Sequence, residues 1–134
     1  MTNASAPPNK LAALDLNTEK ERLYASAYKA LQEGDLTNAQ RLFGLMACMG
    51  TGDERVWIGL GTIREKKNDT SRAATVYQLG TVFAPNSVWC HLALGRTLGR
   101  LSQHNKALCA LDKADELADS PQIQQAIDAV RAAL

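Results

Sequence analysis

One interval, 34 residues, governs this sequence. Ala39, Ala73 and Ala107 fall at that spacing, and so do Phe43, Tyr77 and Leu111, then Ala27, Gly61 and Gly95, and the turn residues Gly34, Asn68 and Ser102. A repeat of this length is one pair of short helices. Such a pair is too small to bury its own apolar face, and stacking successive pairs solves that problem. No stretch shows the period-2 alternation of a half-buried strand, so the chain reads as all-α. The clearest unit runs from Asp53 to Ser87, two short helices hinged at Lys67-Asn68-Asp69.

Taken in order, residues 1–9 are small, polar and proline-bearing, the composition of a disordered tail. Lys10 to Leu16 carries Leu11, Leu14 and Leu16, enough for one or two helical turns that lean on a neighbour or dimerise the chain. Thr18 with Glu21 has capping-box spacing and opens a first helix to Gly34; a second follows with Leu36, Ala39, Leu42, Phe43, Met46 and Ala47 on one face. Thr51 with Glu54 repeats the capping-box spacing and opens a helix to about Lys67; its partner runs from Thr70 to Ala84. The third pair extends from Ser87 to Ala118, with Ala107, Leu108, Leu111 and Ala114 inward. Ser120-Pro121 then starts a seventh helix through Ile123, Ile127 and Val130, which shields the last open face. Residues 10–134 thus form a single repeat domain, with units at about 20–53, 54–87 and 88–121 and a capping helix at 120–134.

Composition excludes more than it assigns. The chain has 134 residues and a net charge of +1 with acids and bases interspersed, so no concentrated basic face argues for nucleic acid. No apolar run approaches the ~20 residues of a membrane span, and MTNASAPPNK lacks the features of a secretory signal, which points to the cytosol. Cys48, Cys90 and Cys109 lack metal-ligand spacing and sit in apolar helical runs, so they read as buried free thiols. His91 and His104 have no partner at ligand or triad spacing, and no paired carboxylates or activated nucleophile stand out; neither catalysis, a metal nor a cofactor is expected. Gly50-Thr51-Gly52 and Gly59-Leu60-Gly61 are not followed by Gly-Lys-Ser/Thr and read as helix end and helix packing.

Trp57, Leu60, Gly61, Ala73, Tyr77 and Pro85 together resemble the tetratricopeptide repeat pattern of Trp, Leu-Gly, Ala, aromatic and Pro. In the outer units Leu23 and His91 stand for the tryptophan, and Thr51 and Asp119 for the proline. The resemblance implies an α-α superhelix of three tetratricopeptide repeats with a C-terminal capping helix. Within each unit the small residue of the first helix is expected against the alanine of the second: Ala27 on Ala39, Gly61 on Ala73, Gly95 on Ala107.

A narrower likeness rests on Leu23-Tyr24, Gly59-Leu60-Gly61 and Tyr77-Gln78-Leu79-Gly80. Over about residues 20–120 the sequence is similar to the tetratricopeptide class II chaperones of bacterial type III secretion systems. That resemblance implies a cytoplasmic protein that holds an extended N-terminal segment of a translocator, of Pro-x-Leu-x-x-Pro type, and keeps it soluble and secretion-competent. Related readings are a co-chaperone of the needle subunit in the same machine and a scaffold module that joins two components through its convex face or its terminal helix, the latter resting on the apolar potential of Leu11, Leu14 and Leu16.

First helices of stacked pairs line the concave side. Counting from the aligned small residues, the peptide-binding positions are Tyr24, Tyr28 and Leu31, then Arg55, Ile58, Thr62 and Glu65, then Trp89, Leu92 and Arg96. Apolar and aromatic groups with a few charges suit an extended peptide, and flat rings suit proline. Packing against the turn around Leu14 is the alternative for Tyr24 and Tyr28; Trp57, at a repeat-defining position, is read as packing; Trp89 is open to either role. Glu65-Lys66-Lys67 and Arg96 with Arg100 form either a local basic patch for an acidic partner or a solvated helix face.

Overall fold

The computed structural model describes residues 8–134, with side chains from residue 15 onward; residues 1–7 of the expected tail, and the side chains of Leu11 and Leu14, lie outside the described residues. Seven helices and no strand occur among the described residues: α1 (Pro8–Gln32), α2 (Leu36–Met49), α3 (Glu54–Lys66), α4 (Thr70–Phe83), α5 (Val88–Arg100), α6 (His104–Leu117) and α7 (Pro121–Ala132). They divide into two compact units, Met1–Gly50 and Thr51–Leu134.

The three intra-pair turns are copies of one another. Gly34, Asn68 and Ser102 adopt left-handed backbone at φ 79°, 59° and 61°. At each turn the amide of the next residue reaches back to close the helix end: Asp35 to the Ala30 carbonyl, Asp69 to Arg64 and Gln103 to Leu98, each at 2.9 Å. This is the Schellman arrangement, which satisfies carbonyls that a helix terminus would otherwise leave orphaned. The residue after the turn then caps the following helix. Asp35 accepts from the Asn38 amide at 3.2 Å and Asp69 from the Arg72 amide at 3.1 Å, whereas Gln103 makes no side-chain cap bond.

In the first unit α1 packs along α2. Ala27, Ala39 and Met46 are fully enclosed, and Phe43 nearly so. The break expected between Leu16 and Thr18 is absent: α1 runs unbroken from Pro8, and Thr18 lies exposed inside it. No glycine or proline separates Lys10 from Gln32, so nothing stops the helix from propagating through the capping-box spacing.

In the second unit α3 pairs with α4 and α5 with α6; α5 also packs on α4 and α3, and α7 closes against α5 and α6. Asp53, not Thr51, caps α3, its carboxylate accepting from the Arg55 amide at 3.0 Å. A carboxylate one residue before the helix holds the N-cap position, which displaces the expected capping box. Ser120 caps α7 through the Ile123 amide at 3.3 Å with Pro121 in the first turn.

Tyr77, Ala73, Ala74, Ala93, Leu94 and Ala110 form one core cluster; Val88, Leu92, Leu111, Ala114 and Ile127 form another, onto which Ile123 and Val130 fold. Fully burying a side chain such as Leu111 or Ile127 contributes about 1.5–3 kcal/mol. Gly61 makes room for the Tyr77 ring, not for Ala73, because the ring crosses between α3 and α4 directly over it. Gly95 faces Leu111, with the Ala107 carbonyl 3.4 Å from where a Cβ would be. Trp57 stacks on Phe83 at 5.3 Å and donates from Nε1 to the Thr51 carbonyl at 2.8 Å, a packing residue. His91 is buried, with Nε2 3.0 Å from the Pro85 carbonyl.

Two expectations of burial fail. Cys48 and Cys109 are exposed and only Cys90 is buried, its Sγ against Gly80. Leu108 is also exposed. All three exposed residues lie on second helices whose buried stripe is already made by Ala39, Phe43 and Met46 or by Ala107, Ala110, Leu111 and Ala114, so the apolar run is wider than the contact it makes.

Candidate peptide-binding surface

In the first unit, Tyr24, Tyr28 and Leu31 follow one another at four and three residues along α1 and therefore share a face. Tyr24 is half-buried with its ring edge toward Phe43, centroids 6.5 Å apart. Tyr28 leans on Tyr24 at 6.1 Å and is 48% exposed; Leu31 is half-buried. The face thus holds one half-buried ring directed at α2 and one exposed ring.

In the second unit, Arg55, Ile58, Thr62 and Glu65 form a stripe along α3. Arg55 grips Asp53 through Nε at 3.1 Å and Nη2 at 2.8 Å, a bidentate pair that fixes the guanidinium at the helix start. Ile58 packs partly into the Tyr77 cluster. Thr62 donates to the Ile58 carbonyl at 2.7 Å, with its oxygen 3.4 Å from the Tyr77 hydroxyl. Glu65 is the junction of this region: it accepts from the Tyr77 hydroxyl at 2.5 Å, from Arg96 Nη2 at 2.6 Å and from Arg100 Nη1 at 2.8 Å. Burial first, then the bond to Glu65, hold the Tyr77 hydroxyl far above its ordinary value, so it remains a donor.

The structure therefore brings Thr62, Glu65 and Arg96 together and adds Tyr77 and Arg100, which the groove positions had omitted. The four-residue spacing of Arg96 and Arg100 on α5 is the signal for the second arginine. The possible basic patch is in fact an ion-pair network, because Glu65 sits between the two guanidinium groups. Trp89 projects from the first turn of α5 and is 46% exposed. Leu92 does not line a surface: it is 6% exposed, packed with Val88, Leu111, Ala114 and Ile127 because the capping helix covers its side of α5. Among the described residues no group of three or more His, Cys, Asp or Glu could hold a metal ion, and no helix is long and apolar enough to cross a membrane.

These features describe an all-α fold of paired helices whose turns recur at one interval. No family model matches the sequence, and no curated protein matches it. Solved structures do. The type III secretion translocator chaperone SycD of Yersinia enterocolitica is similar with a TM-score of 0.76 and 22% identity, covering 96% of both chains. PcrH of Pseudomonas aeruginosa is similar with a TM-score of 0.75 and 23% identity, over 87% of this chain and 89% of that one. PcrH has also been solved with the chaperone binding region of PopB, at a TM-score of 0.75 over 87% of this chain and 95% of that one. SycD has likewise been solved with a peptide of the translocator YopD. At these identities the likeness is one of fold.

Proposed function

We propose that this chain is a type III secretion chaperone. It binds an extended segment of a translocator through the first-helix faces of its repeats and keeps that protein soluble until export. The observation that carries the reading is the match to SycD across 96% of both chains, in a fold whose solved members hold translocator segments. The exposed ring of Tyr28 in the first unit and the exposed indole of Trp89 in the second are each a flat apolar surface of the kind a proline-bearing peptide needs. The mechanism is binding alone, and the protein acts in the bacterial cytoplasm, where its client is made.

The test is co-expression with translocators encoded near this chain, followed by co-purification and a solubility measurement of the client. Retention of a soluble complex supports the reading; clients that stay insoluble and unbound sink it.

A second reading, a scaffold that joins two proteins through its second helices, is favoured by one observation: Leu79, Val82 and Phe83 form an exposed apolar group on α4. Cross-links from the partner to α4, with none to α3 or α5, distinguish it.

A further inference from the structure

A cavity of about 360 Å³ lies between the last turns of α5 and the end of α7, lined by Arg96, Gly99, Arg100, Ala129, Val130 and Ala133, together with Leu134. Its walls are aliphatic. The Leu134 side chain lies on the bare backbone of Gly99, where a Cβ would stand 2.4 Å from its Cδ2. At one edge stand two guanidinium groups that share a single carboxylate, Glu65, so the cluster carries an excess of one positive charge. Both arginines are open to solvent, with 36% and 56% of their side-chain surface exposed. Apolar walls beside an under-neutralised arginine pair match a ligand that is aliphatic and anionic within one or two residues.

We propose that this cavity is a specificity pocket for the client. It takes a branched aliphatic side chain whose neighbouring Asp or Glu completes the charge of Arg96 and Arg100. The inference rests on the chaperone reading and adds to it the chemistry of the segment recognised. Charge complementarity selects this occupant: a purely apolar segment would leave the arginine excess uncompensated, and a basic one would be repelled by it.

The experiment uses the full chain and fluorescein-labelled Gly/Ser peptides that carry a leucine next to aspartate, asparagine or lysine, or a glycine in place of the leucine, with anisotropy as the readout. The aspartate-leucine peptide is expected to bind about tenfold more tightly than the others, since the asparagine and lysine peptides lose a hydrogen bond between charged groups and the glycine peptide loses the apolar side chain that fills the cavity. Arg100→Glu should reverse the preference towards the lysine peptide, and Ala133→Phe, which fills the cavity from an exposed position, should abolish binding. Circular dichroism verifies that both variants fold. Equal binding of all peptides, or no reversal in Arg100→Glu, overturns the proposal. Self-association of the wild type that Ala133→Phe abolishes also overturns it, by making a second copy the occupant. Retention of a full-length translocator by wild type separates the two levels: its loss refutes the chaperone reading, whereas retention unaffected by either variant refutes only the pocket.

Discussion

Gly61 lies directly beneath the ring of Tyr77, so that a methyl group at position 61 would come within 2.2 Å of Cε1. The ring cannot retreat, because its hydroxyl is held by Glu65 and its body is 1% exposed. Gly61→Ala is therefore expected to destabilise the fold by about 1–3 kcal/mol, despite the better helix propensity of alanine. Urea unfolding reads this directly, and a variant as stable as wild type would contradict the packing described.

The shared turns allow stabilisation at chosen points. Ser102 holds a left-handed φ of 61° without the freedom of glycine, so Ser102→Gly should add about 0.5–1 kcal/mol. Gln103 occupies the position at which Asp35 and Asp69 cap their helices, and Gln103→Asp should add about 1 kcal/mol. Thermal melts of the single and double variants measure both.

Acid should loosen the capping helix. Arg131 on α7 bonds Asp115 on α6 at 2.5 Å, and Gln124 bonds the same carboxylate at 2.8 Å. The Arg131 bond, then that of Gln124, hold Asp115 below its ordinary value. A depressed folded value means the contribution is complete above the unfolded aspartate value of about 3.9 and disappears as pH falls through the lower folded one. Because about a third of each side chain is exposed, the effect is below about 1 kcal/mol. Asp115→Asn should be less stable than wild type at neutral pH, and the difference should close in acid; a constant difference would argue against the linkage.

Binding and stability should separate at the exposed rings. Tyr28→Ala and Trp89→Ala remove side chains that are about half buried, so each should cost about 1–2 kcal/mol of stability and leave the protein folded. Against a bound translocator segment each should weaken affinity about tenfold. Calorimetric titration on the folded variants tests it, and unchanged affinity in both would move the site elsewhere.

The period of 34 residues was readable because turn chemistry is local. Asn68 announces a left-handed turn by residue type, and Gly34 and Ser102 announce turns by their spacing from it; the structure places all three in the left-handed region. Ser120-Pro121 was legible for the same reason. What escaped depends on distant partners. The repeat register pairs Gly61 with Ala73, yet a ring four residues further along α4 reaches it. Leu92 has the spacing of a surface position and is buried because α7 arrives from beyond position 120. Glu65, Arg96 and Arg100 were all visible as charges, but a bond across 31 or 35 residues has no local signature.

The identical phase of the three turns also limits how this chain can change in length. Deleting one residue within α3 would rotate every later side chain of that helix by about 100° and carry Glu65 away from both arginines. Removing 34 residues as a block would instead keep the remaining turn residues in register. Length here is quantised: a whole unit preserves the phase of the turns, and a fraction of a unit does not.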